Sequence, residues 1–241
     1  MAPKPFYKRV LLKVSGEALQ GSEEPSSSIL ASACEQIARS IEEVRSCGVQ
    51  VAVVVGGGNI FRGSQAEEFG FAKTPADHIG MLGTAINGLV LQQSLARIGC
   101  PSRVMTALHC AVIEPYHWPQ ALATLDSGEV LIFVGGTGNP YFTTDTAAAL
   151  RACEMRAEIL LKGTKVGGIY SADPRKDKDA MHYDVLTYSE VFAKNLKVMD
   201  AAAIALCRDN RIPIRVFNLF ETGALLRSAV DNAGGSLVTG E

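Results

Sequence analysis

Two glycine-containing stretches of the chain also carry a cationic side chain, a combination suited to holding a phosphate. In VVVGGGNIFRG, residues 53–63, an apolar run leads into three glycines, Gly56 to Gly58, and then to Arg62. Consecutive N–H groups can form an anion-binding nest, and a guanidinium presents a fork to phosphate oxygens. In LLKVSGEAL, Lys13 lies within an apolar run. Because an unpaired ammonium is costly among apolar side chains, Lys13 either reaches solvent at a sheet edge or meets an anion at a strand end.

Two later loops add hydroxyl groups, more glycines and an acid. GGTGNPYFTTDTAAALR, residues 135–151, ends a strand and opens a helix near Asp145, for which Thr144 is the predicted cap. A helix N-terminus favours anions, although Asp145 can equally be a plain partner of the helix dipole. KGTKVGGIYSADPRKD, residues 162–177, contains Tyr170, which can stack on a base or pack as an ordinary aromatic side chain.

Neither familiar nucleotide-binding fingerprint accounts for these loops. No G-x-G-x-x-G opens at Gly56, because Phe61 occupies the position of the last glycine, and no G-x-x-x-x-G-K-[ST] occurs in the chain. The four loops offer glycines, hydroxyls, lysines and an arginine, but no catalytic histidine and no metal-binding pattern. Enzymes that transfer phosphoryl groups act mainly by positioning the phosphates and stabilising their charge. The four loops therefore predict a phosphoryl-transfer enzyme.

The elements that must position these loops alternate between strand and helix. Apolar runs predict buried strands, and apolar residues at helical spacing predict helices between them. Strands apolar throughout imply a mostly parallel sheet covered on both faces, an α/β fold of three layers, with ligands beyond the carboxyl ends of the strands. The predicted strands are 9–14, 49–55, 103–106, 130–134, 159–162 and 214–217. The predicted helices include one capped by Ser28 with Ile37, Ile41 and Val44 on one face, 76–98 with a stripe of Ile79, Leu82, Ile86 and Leu89, 145–156 and 201–210.

Composition narrows the class of protein further. The chain has 241 residues, 47% hydrophobic and 20% charged, which suits one globular domain spanning 1–241. The net charge of −2 argues against broad binding of nucleic acid or anionic membranes. No apolar run reaches the roughly 18 residues of a membrane span, and residues 1–9 lack the apolar centre of a signal peptide. Six cysteines without a C-x-x-C pair indicate reduced core thiols and a cytoplasmic location.

The loops resemble those of the amino acid kinase superfamily and, within it, the bacterial-type UMP kinases. The resemblance runs in order from residue 8 to residue 218, and its length makes it far more specific than a single glycine motif. It rests on LLKVSGEALQG, GGGNIFRG, DHIGMLGTAING, GTGNPYFTTDTAA, SADPRKD, LTYSEV, LKVMD and IPIRVFN.

This resemblance implies a three-layer αβα fold, transfer of the γ-phosphoryl group of ATP to UMP in pyrimidine nucleotide biosynthesis, and a set of site residues. Lys13, Arg62 and Asp145 would be catalytic. ATP contacts are implied at Lys13, Val14, Ser15, Gly16, Gly58, Arg62, Thr164, Tyr170 and Asp173. UMP contacts are implied at Gly57, Asp77, Thr137, Gly138, Asn139, Pro140, Tyr141, Phe142, Thr143 and Thr144.

The implied reaction needs charge neutralisation rather than a general base. The acceptor phosphate has a second pKa near ~6 and is largely a dianion at neutral pH. Lys13, Arg62, the glycine N–H groups and Mg²⁺ brought with ATP would offset the repulsion between the two anions. Asp145 is expected to orient Lys13, and Asp77 to accept hydrogen bonds from the ribose, with no metal ion held by the protein alone.

Regulation and assembly are also implied by the resemblance. It suggests a homohexamer, feedback inhibition by UTP and activation by GTP between subunits. A triphosphate needs several cations, but the long helix has Arg97 as its only basic side chain in its outer turns, and Glu129 precedes a strand where a cation would help. Arg103 alone is a weak site, so little or no activation by GTP is expected.

Two departures and two alternatives stay open. Gly167 stands where the family often has aspartate, which questions the rigidity of that loop, and SEEPSSS replaces a glycine-rich stretch after Gly21. The chain could instead be a superfamily kinase of an amino acid or carbamate, although aspartokinases usually carry a further domain. It could also be a nucleotide sensor or oxyanion-storage protein without catalysis, against which Lys13, Arg62 and Asp145 argue.

Overall fold

A computed structural model describes residues 5–21 and 27–240 of the chain. Residues 1–4, 22–26 and 241 lie outside the described residues; they include most of the SEEPSSS stretch and part of the N-terminal segment. The strands are β1 (Arg9–Val14), β2 (Gln50–Val55), β3 (Ser102–Thr106), β4 (Glu114–Pro115), β5 (Val130–Val134), β6 (Ile159–Thr164), β7 (Ile169–Tyr170), β8 (His182–Tyr183), β9 (Val185–Leu186), β10 (Ile214–Asn218) and β11 (Ser236–Val238). The helices are α1 (Ala31–Ser46), α2 (Gly63–Glu68), α3 (Lys73–Arg97), α4 (Trp118–Asp126), α5 (Thr144–Glu154), α6 (Tyr188–Ala193), α7 (Ala201–Asp209) and α8 (Ala224–Val230).

One large sheet organises the molecule, in the order β4-β3-β5-β2-β1-β6-β10-β11-β9. Its strand pairs are parallel except for β10 with β11. A separate antiparallel pair joins β7 to β8. Strand β1 lies between β2 and β6, so the chain builds the sheet on one side of β1 first and on the other side afterwards. Such a switch in direction opens a crevice beyond the carboxyl ends of the strands.

The two faces of the sheet are covered by different helices, which confirms the expected three-layer α/β architecture. Alternate residues of β1 point to opposite faces: Val10, Leu12 and Val14 pack with α1, α3 and α8. Leu11 packs with α4, α5 and α7 on the other face. By the same alternation Lys13 lies on the α5 face, at the end of the strand.

Most predicted elements are present with small shifts of their ends. β1 and β5 match the prediction residue for residue, and the buried stripe of α1 contains Ile37, Ile41 and Val44 as expected. The cap at Ser28 was wrong, because α1 begins at Ala31 with Leu30 as its N-cap. The loop after β1 also contains a short 3₁₀ helix, Gly16–Gln20.

The predicted buried stripe of α3 was wrong. Leu82 and Ile86 are 56% and 47% exposed, although both are large apolar residues. The buried face instead carries small residues such as Gly83, Ala85 and Gly88. A Cβ on Gly88 would lie 2.2 Å from Cγ1 of Val134, so this face lets the helix approach β5 more closely than a leucine stripe would allow.

Cysteine placement agrees only partly with the prediction of core thiols. None of the six cysteines forms a disulfide in the described structure, and Cys34, Cys100 and Cys207 are buried. Cys47 is exposed, however, because it caps the C-terminal end of α1. Within the described part of the chain, no helix combines the length and apolar character needed to cross a membrane.

Candidate active site

Two lysines and one carboxylate meet at the carboxyl end of the central strands. The β1–β6 register places Lys13 beside Lys162, and both lie on the face covered by α5. Asp145 projects from the first turn of α5 toward them. Lys13 Nζ lies 2.8 Å from Asp145 Oδ1, and Lys162 Nζ donates a hydrogen bond of 2.8 Å to Oδ2. Lys13 therefore meets an anion at a strand end, the second of the two outcomes that its sequence allowed.

The electrostatics of this cluster keep the carboxylate ionised. Only 9%, 16% and 14% of the side chains of Lys13, Lys162 and Asp145 are exposed. Burial raises the pKa of Asp145, but the charges of Lys13 and Lys162 outweigh it, so this pKa lies below its usual value. Burial holds the pKa of Lys162 below its usual value, although the charge of Asp145 acts in the opposite direction. One carboxylate thus holds together two ammonium groups that would otherwise repel each other.

The start of α5 is fixed by a set of polar contacts to the segment before α7. Thr143, not the predicted Thr144, is the N-cap: its Oγ accepts hydrogen bonds from the N–H groups of Asp145 at 3.0 Å and Thr146 at 3.4 Å. Thr143 Oγ and Thr146 Oγ both donate to the carboxylate of Asp200, the N-cap of α7. These contacts hold the backbone that carries Asp145.

None of the three glycines after β2 has a positive φ, and Gly56 and Gly57 are required by close approach, whereas a Cβ on Gly58 would have no neighbour within 4 Å. A Cβ on Gly56 would lie 2.8 Å from the backbone nitrogen of Gly16, and one on Gly57 would lie 2.4 Å from the carbonyl oxygen of Gly80. The N–H of Gly56 donates to the carbonyl of Val14 at 2.8 Å. The expectation that all three N–H groups face an anion was therefore wrong for Gly56.

A buried pair of asparagines supports this glycine loop from behind. Asn87 of α3 donates to the carbonyl oxygen of Gly56 at 2.7 Å and to Asn59 Oδ1 at 2.6 Å. Asn59 in turn donates to Asn87 Oδ1 at 3.1 Å and to the carbonyl of Ser28 at 2.7 Å. The loop is thus held to both α3 and the segment before α1.

A cleft in three connected segments runs across the ends of the strands. The Asp77 segment has a volume of about 330 Å³ and is lined by residues between 57 and 144. The lysine segment, about 460 Å³, contains Lys13 and Lys162. The Tyr170 segment, about 520 Å³, is lined by residues between 162 and 216. Gly57, Gly58 and Thr144 line both of the first two segments. Lys162, Thr164 and Asp173 line both the lysine segment and the Tyr170 segment, so the cleft is continuous across the lysines.

The Asp77 segment places a few charged side chains in a largely apolar lining and is shaped by left-handed backbone. Asp77 accepts a hydrogen bond from the N–H of Tyr141 at 2.8 Å and pairs with Lys73. Burial raises the pKa of Asp77, but these hydrogen bonds outweigh it and leave this pKa below its usual value. Arg62 lies at the rim, 2.9 Å from Glu17. Tyr141 has a φ of 71°, which turns the loop after β5 back toward Asp77.

Comparisons with known proteins agree with this geometry. The family model for the amino acid kinase family matches residues 8–218. The chain belongs to the amino acid kinase family. It is 54% identical over 215 residues to a uridylate kinase of Protochlamydia amoebophila, covering 89% of this chain and 85% of that one. It is 49% identical over 237 residues to a uridylate kinase of Klebsiella pneumoniae, covering 98% of both chains.

A solved structure of a Bacillus anthracis UMP kinase superposes with a TM-score of 0.93 at 41% identity, covering 97% of this chain and 96% of that one. The amino acid kinase fold expected from the sequence is therefore confirmed, and like these relatives the chain is a kinase. The other superfamily placement, a kinase of amino acids or carbamate, has no support among these similarities.

The cleft of this amino acid kinase family member brings together most of the residues that the sequence implicated. Implicated residues that line the Asp77 segment are Gly57, Gly58, Arg62, Asp77, Thr137, Asn139, Tyr141, Phe142, Thr143 and Thr144. Those that line the lysine segment are Lys13, Ser15, Gly16, Gly57, Gly58, Thr144, Thr164 and Asp173. Thr164, Tyr170 and Asp173 line the Tyr170 segment.

Four implicated residues lie elsewhere. Val14 is fully buried and its side chain packs into the core, so only its backbone is available to a ligand. Gly138 and Pro140 do not line the cleft; Gly138 has a φ of 84° and serves the turn after β5. Asp145 lies beneath the two lysines, in a hollow shared with Lys162, and contacts both of them.

The sequence reasoning missed two lysines of this family member. Lys162 lies in an apolar strand, as Lys13 does, and the same argument about a costly buried ammonium could have found it. Lys73, at the start of α3, pairs with Asp77 one turn later. Its spacing of four residues from an acid is a common surface pattern, so nothing in the sequence marked it.

Proposed function

We propose that this protein transfers the γ-phosphoryl group of ATP to UMP, giving UDP and ADP. The observation that carries the proposal is the continuous cleft with Lys13, Lys162 and Asp145 between two larger segments. The relatives named uridylate kinase and UMP kinase support UMP as the acceptor. In this proposal UMP occupies the Asp77 segment, the phosphates meet in the lysine segment, and the base of ATP lies in the Tyr170 segment.

The central cations would provide most of the catalysis. The phosphate of UMP is already a nucleophilic dianion near neutral pH, so no base has to remove a proton. The barrier comes from bringing two anions together, which Lys13 and Lys162 would offset while the phosphoryl group moves in line. Asp145 is a positioning residue: it holds both ammonium groups at the strand ends before substrate arrives, so little reorganisation is required.

Mg²⁺ is proposed to enter as part of the ATP substrate. The described residues contain no group of three or more histidine, cysteine or acidic side chains that could hold a metal ion. Mg²⁺ commonly keeps several waters and binds substrate phosphates with one or two carboxylates. Glu17 and Asp173 are carboxylates that line the lysine segment and fit that modest role. The ion would add positive charge to the phosphates that the lysines contact.

The Asp77 segment would orient the nucleoside of UMP. A ribose offers hydroxyl donors, for which a carboxylate held ionised is a suitable acceptor. Asp77 meets that requirement, because Lys73 and the Tyr141 N–H hold the charged form in place. Arg62, at the rim of the same segment, would exchange its contact with Glu17 for phosphate oxygens. We therefore propose that Asp77 governs UMP affinity and Arg62 the approach of the phosphate.

Further parts of the proposal concern the whole protein. We propose a single catalytic domain, a place in pyrimidine nucleotide biosynthesis leading to CTP, a cytoplasmic location and inhibition by UTP. We also propose a homo-oligomer, a hexamer by resemblance, to which the exposed Leu82 and Ile86 of α3 would contribute apolar contact area. Neither nucleic acid nor a membrane is required by this function.

The test is an ADP-release assay with Mg²⁺, ATP and one acceptor at a time. UMP should be turned over, CMP and dTMP much more slowly, and glutamate and aspartate not at all. Asp77→Asn should raise KM for UMP while leaving KM for ATP near the wild-type value, whereas Asp209→Asn, at the exposed end of α7, serves as the matched control. Equal turnover of CMP and UMP would contradict the uracil preference, and no turnover of any acceptor would favour a nucleotide sensor or storage protein.

A further inference from the structure

A chain of hydrogen bonds links the β7–β8 hairpin to the main sheet. Asp184 Oδ1 lies 3.0 Å from His182 Nδ1, and His182 Nε2 lies 3.1 Å from Ser236 Oγ of β11. Ser236 Oγ accepts a hydrogen bond of 2.7 Å from the N–H of Ile169 in β7. The ring of His182 also meets the ring of Tyr170 edge-on, with centroids 5.0 Å apart. Both strands of the hairpin are therefore tied to one buried hydroxyl.

This aspartate–histidine–serine order is not a nucleophilic triad. The side chain of Ser236 is fully buried, and its oxygen is already engaged by the Ile169 N–H. One arrangement of protons satisfies all of these contacts: His182 Nδ1–H donates to Asp184, and the Ser236 O–H donates to His182 Nε2. Ser236 then keeps a lone pair for the Ile169 N–H. Its role is therefore structural, as the shared anchor of His182 and Ile169.

The hairpin needs such an anchor because its own pairing is minimal. β7 and β8 contain two residues each, paired as Ile169 with Tyr183 and Tyr170 with His182. A two-stranded hairpin of this length is marginally stable by itself. The preceding Gly167 has no side chain with which to brace the loop. Gly168 leaves room for the anchor, since a Cβ there would lie 2.3 Å from both His182 Nε2 and Ser236 Oγ.

We propose that His182 is a positioning residue for ATP: through Ser236 it holds the hairpin so that Tyr170 forms a fixed wall of the Tyr170 segment. The inference rests on the proposed function, in which that segment takes the base of ATP. Tyr170 lines the segment directly, whereas His182 acts from behind it. The Asp77 segment is lined by residues 57–144 and shares none of these side chains. Loss of His182 should therefore affect ATP and spare UMP.

The experiment compares His182→Ala, His182→Gln and the control His117→Ala, an exposed histidine whose side chain does not cap α4. Removing one hydrogen-bonded anchor should raise KM for ATP roughly three- to ten-fold, with kcat and KM for UMP within about two-fold of wild type. Glutamine can place an amide oxygen near Ser236 Oγ, so His182→Gln should recover most of the ATP affinity. Calorimetric titration of each variant with ATP alone should show the same order of affinities.

A double variant checks that the effect passes through Ser236. If the two residues act as one unit, adding Ser236→Ala to His182→Ala should raise KM for ATP no further than the larger of the two single effects. An unchanged KM for ATP in His182→Ala would overturn the proposal, as would equal losses for both substrates or a failure of glutamine to rescue. If wild-type protein binds ATP but turns over no acceptor, the proposed function fails while the calorimetric comparison still tests His182.

Discussion

Substitution of Asp145 by asparagine tests the central cluster most directly. The amide keeps the shape of the carboxylate but removes the charge shared by Lys13 and Lys162, whose Nζ atoms each lie 2.8 Å from it. Two ammonium groups are then left side by side, with 9% and 16% of their side chains exposed. Removing one member of a buried ion pair typically costs about 3–5 kcal/mol, because the remaining charge has no partner.

The loss of stability in Asp145→Asn is limited, because a lysine without a partner can lose its proton. Lys162 can avoid the unpaired charge by losing its proton. Its reference pKa of 10.5 lies about 3 units above pH 7.5, and at about 1.4 kcal/mol per unit deprotonation costs about 4 kcal/mol. Burial has already lowered the pKa of Lys162, so the real cost is smaller. We expect Asp145→Asn to lose about 2–4 kcal/mol of stability, which corresponds to a fall in Tm of roughly 5–15 °C for a chain of this size.

Activity should fall further than stability alone explains. In the proposed function, a misplaced or neutral Lys162 would remove a charge that faces the transferring phosphoryl group, so kcat should fall about 10²–10³-fold with KM for UMP little changed. Without the carboxylate the pKa of Lys162 falls further, so the alkaline limb of the kcat–pH profile should move to lower pH. Steady-state kinetics from pH 6 to pH 10 and thermal melts measure both effects, with the exposed Asp209→Asn as control.

The opposite result has a clear meaning. If Asp145 served only the dipole of α5, asparagine would cost about 0.3–1 kcal/mol and leave kcat and its pH profile unchanged. That outcome would refute the view that one carboxylate positions two catalytic cations. It would also leave the lowered pKa of Asp145 without a functional consequence.

Two further predictions concern stability in acid and regulation. Hydrogen bonds from Arg45 lower the pKa of Glu42 from 4.5 to about 2, so its contribution is complete above pH 4.5 and lost as the pH falls toward 2. In urea unfolding at pH 7, Glu42→Gln should lower the free energy of unfolding by about 1–3 kcal/mol, after allowance for the partial exposure of Glu42, and at pH 2 the loss should be much smaller. An equal loss at both pH values, or the same loss in the exposed Glu43→Gln, would contradict this. Arg103 lies 3.4 Å from Glu114 and 3.7 Å from Glu129, so it is already neutralised, and millimolar GTP should stimulate UMP turnover little at subsaturating ATP. Several-fold stimulation that Arg103→Ala abolishes would show that this prediction is wrong.

The sheet, and the edge of it at which the candidate site lies, could be predicted because their signals are local. Runs such as RVLLKV and VLIFV are apolar throughout, which fixes both the strand and its burial on two faces. The rule that ligands bind at the carboxyl ends of parallel strands then brings four loops together without knowledge of their contacts. Lys13 and Asp145, 132 positions apart in the chain, were paired from the resemblance, and the structure places them in contact.

The errors arose where packing depends on small residues or on distant partners. The stripe on α3 is predicted from large apolar side chains, yet the buried part of the helix includes Gly83, Ala85 and Gly88, whose small size lets the helix lie close to its neighbours. The periodicity of hydrophobic residues cannot reveal a helix face whose small residues allow it to pack closely against a neighbouring element. The anchor between His182 and Ser236 joins residues 54 positions apart, and neither lies in a motif that would have drawn attention to it.

The position of β1 in the middle of the sheet has a consequence for engineering the protein. Residues before β6 build the Asp77 segment, and residues from β6 onward build the Tyr170 segment. If the proposed function holds, the acceptor and donor pockets are built by consecutive parts of one chain and meet at Lys13, Asp145 and Lys162. Acceptor preference should be adjustable by exchanging residues 57–144 with those of a relative while residues 159–198 are left untouched. In this proposal, the strand order would let substitutions change the preference for one substrate without changing the residues that contact the other.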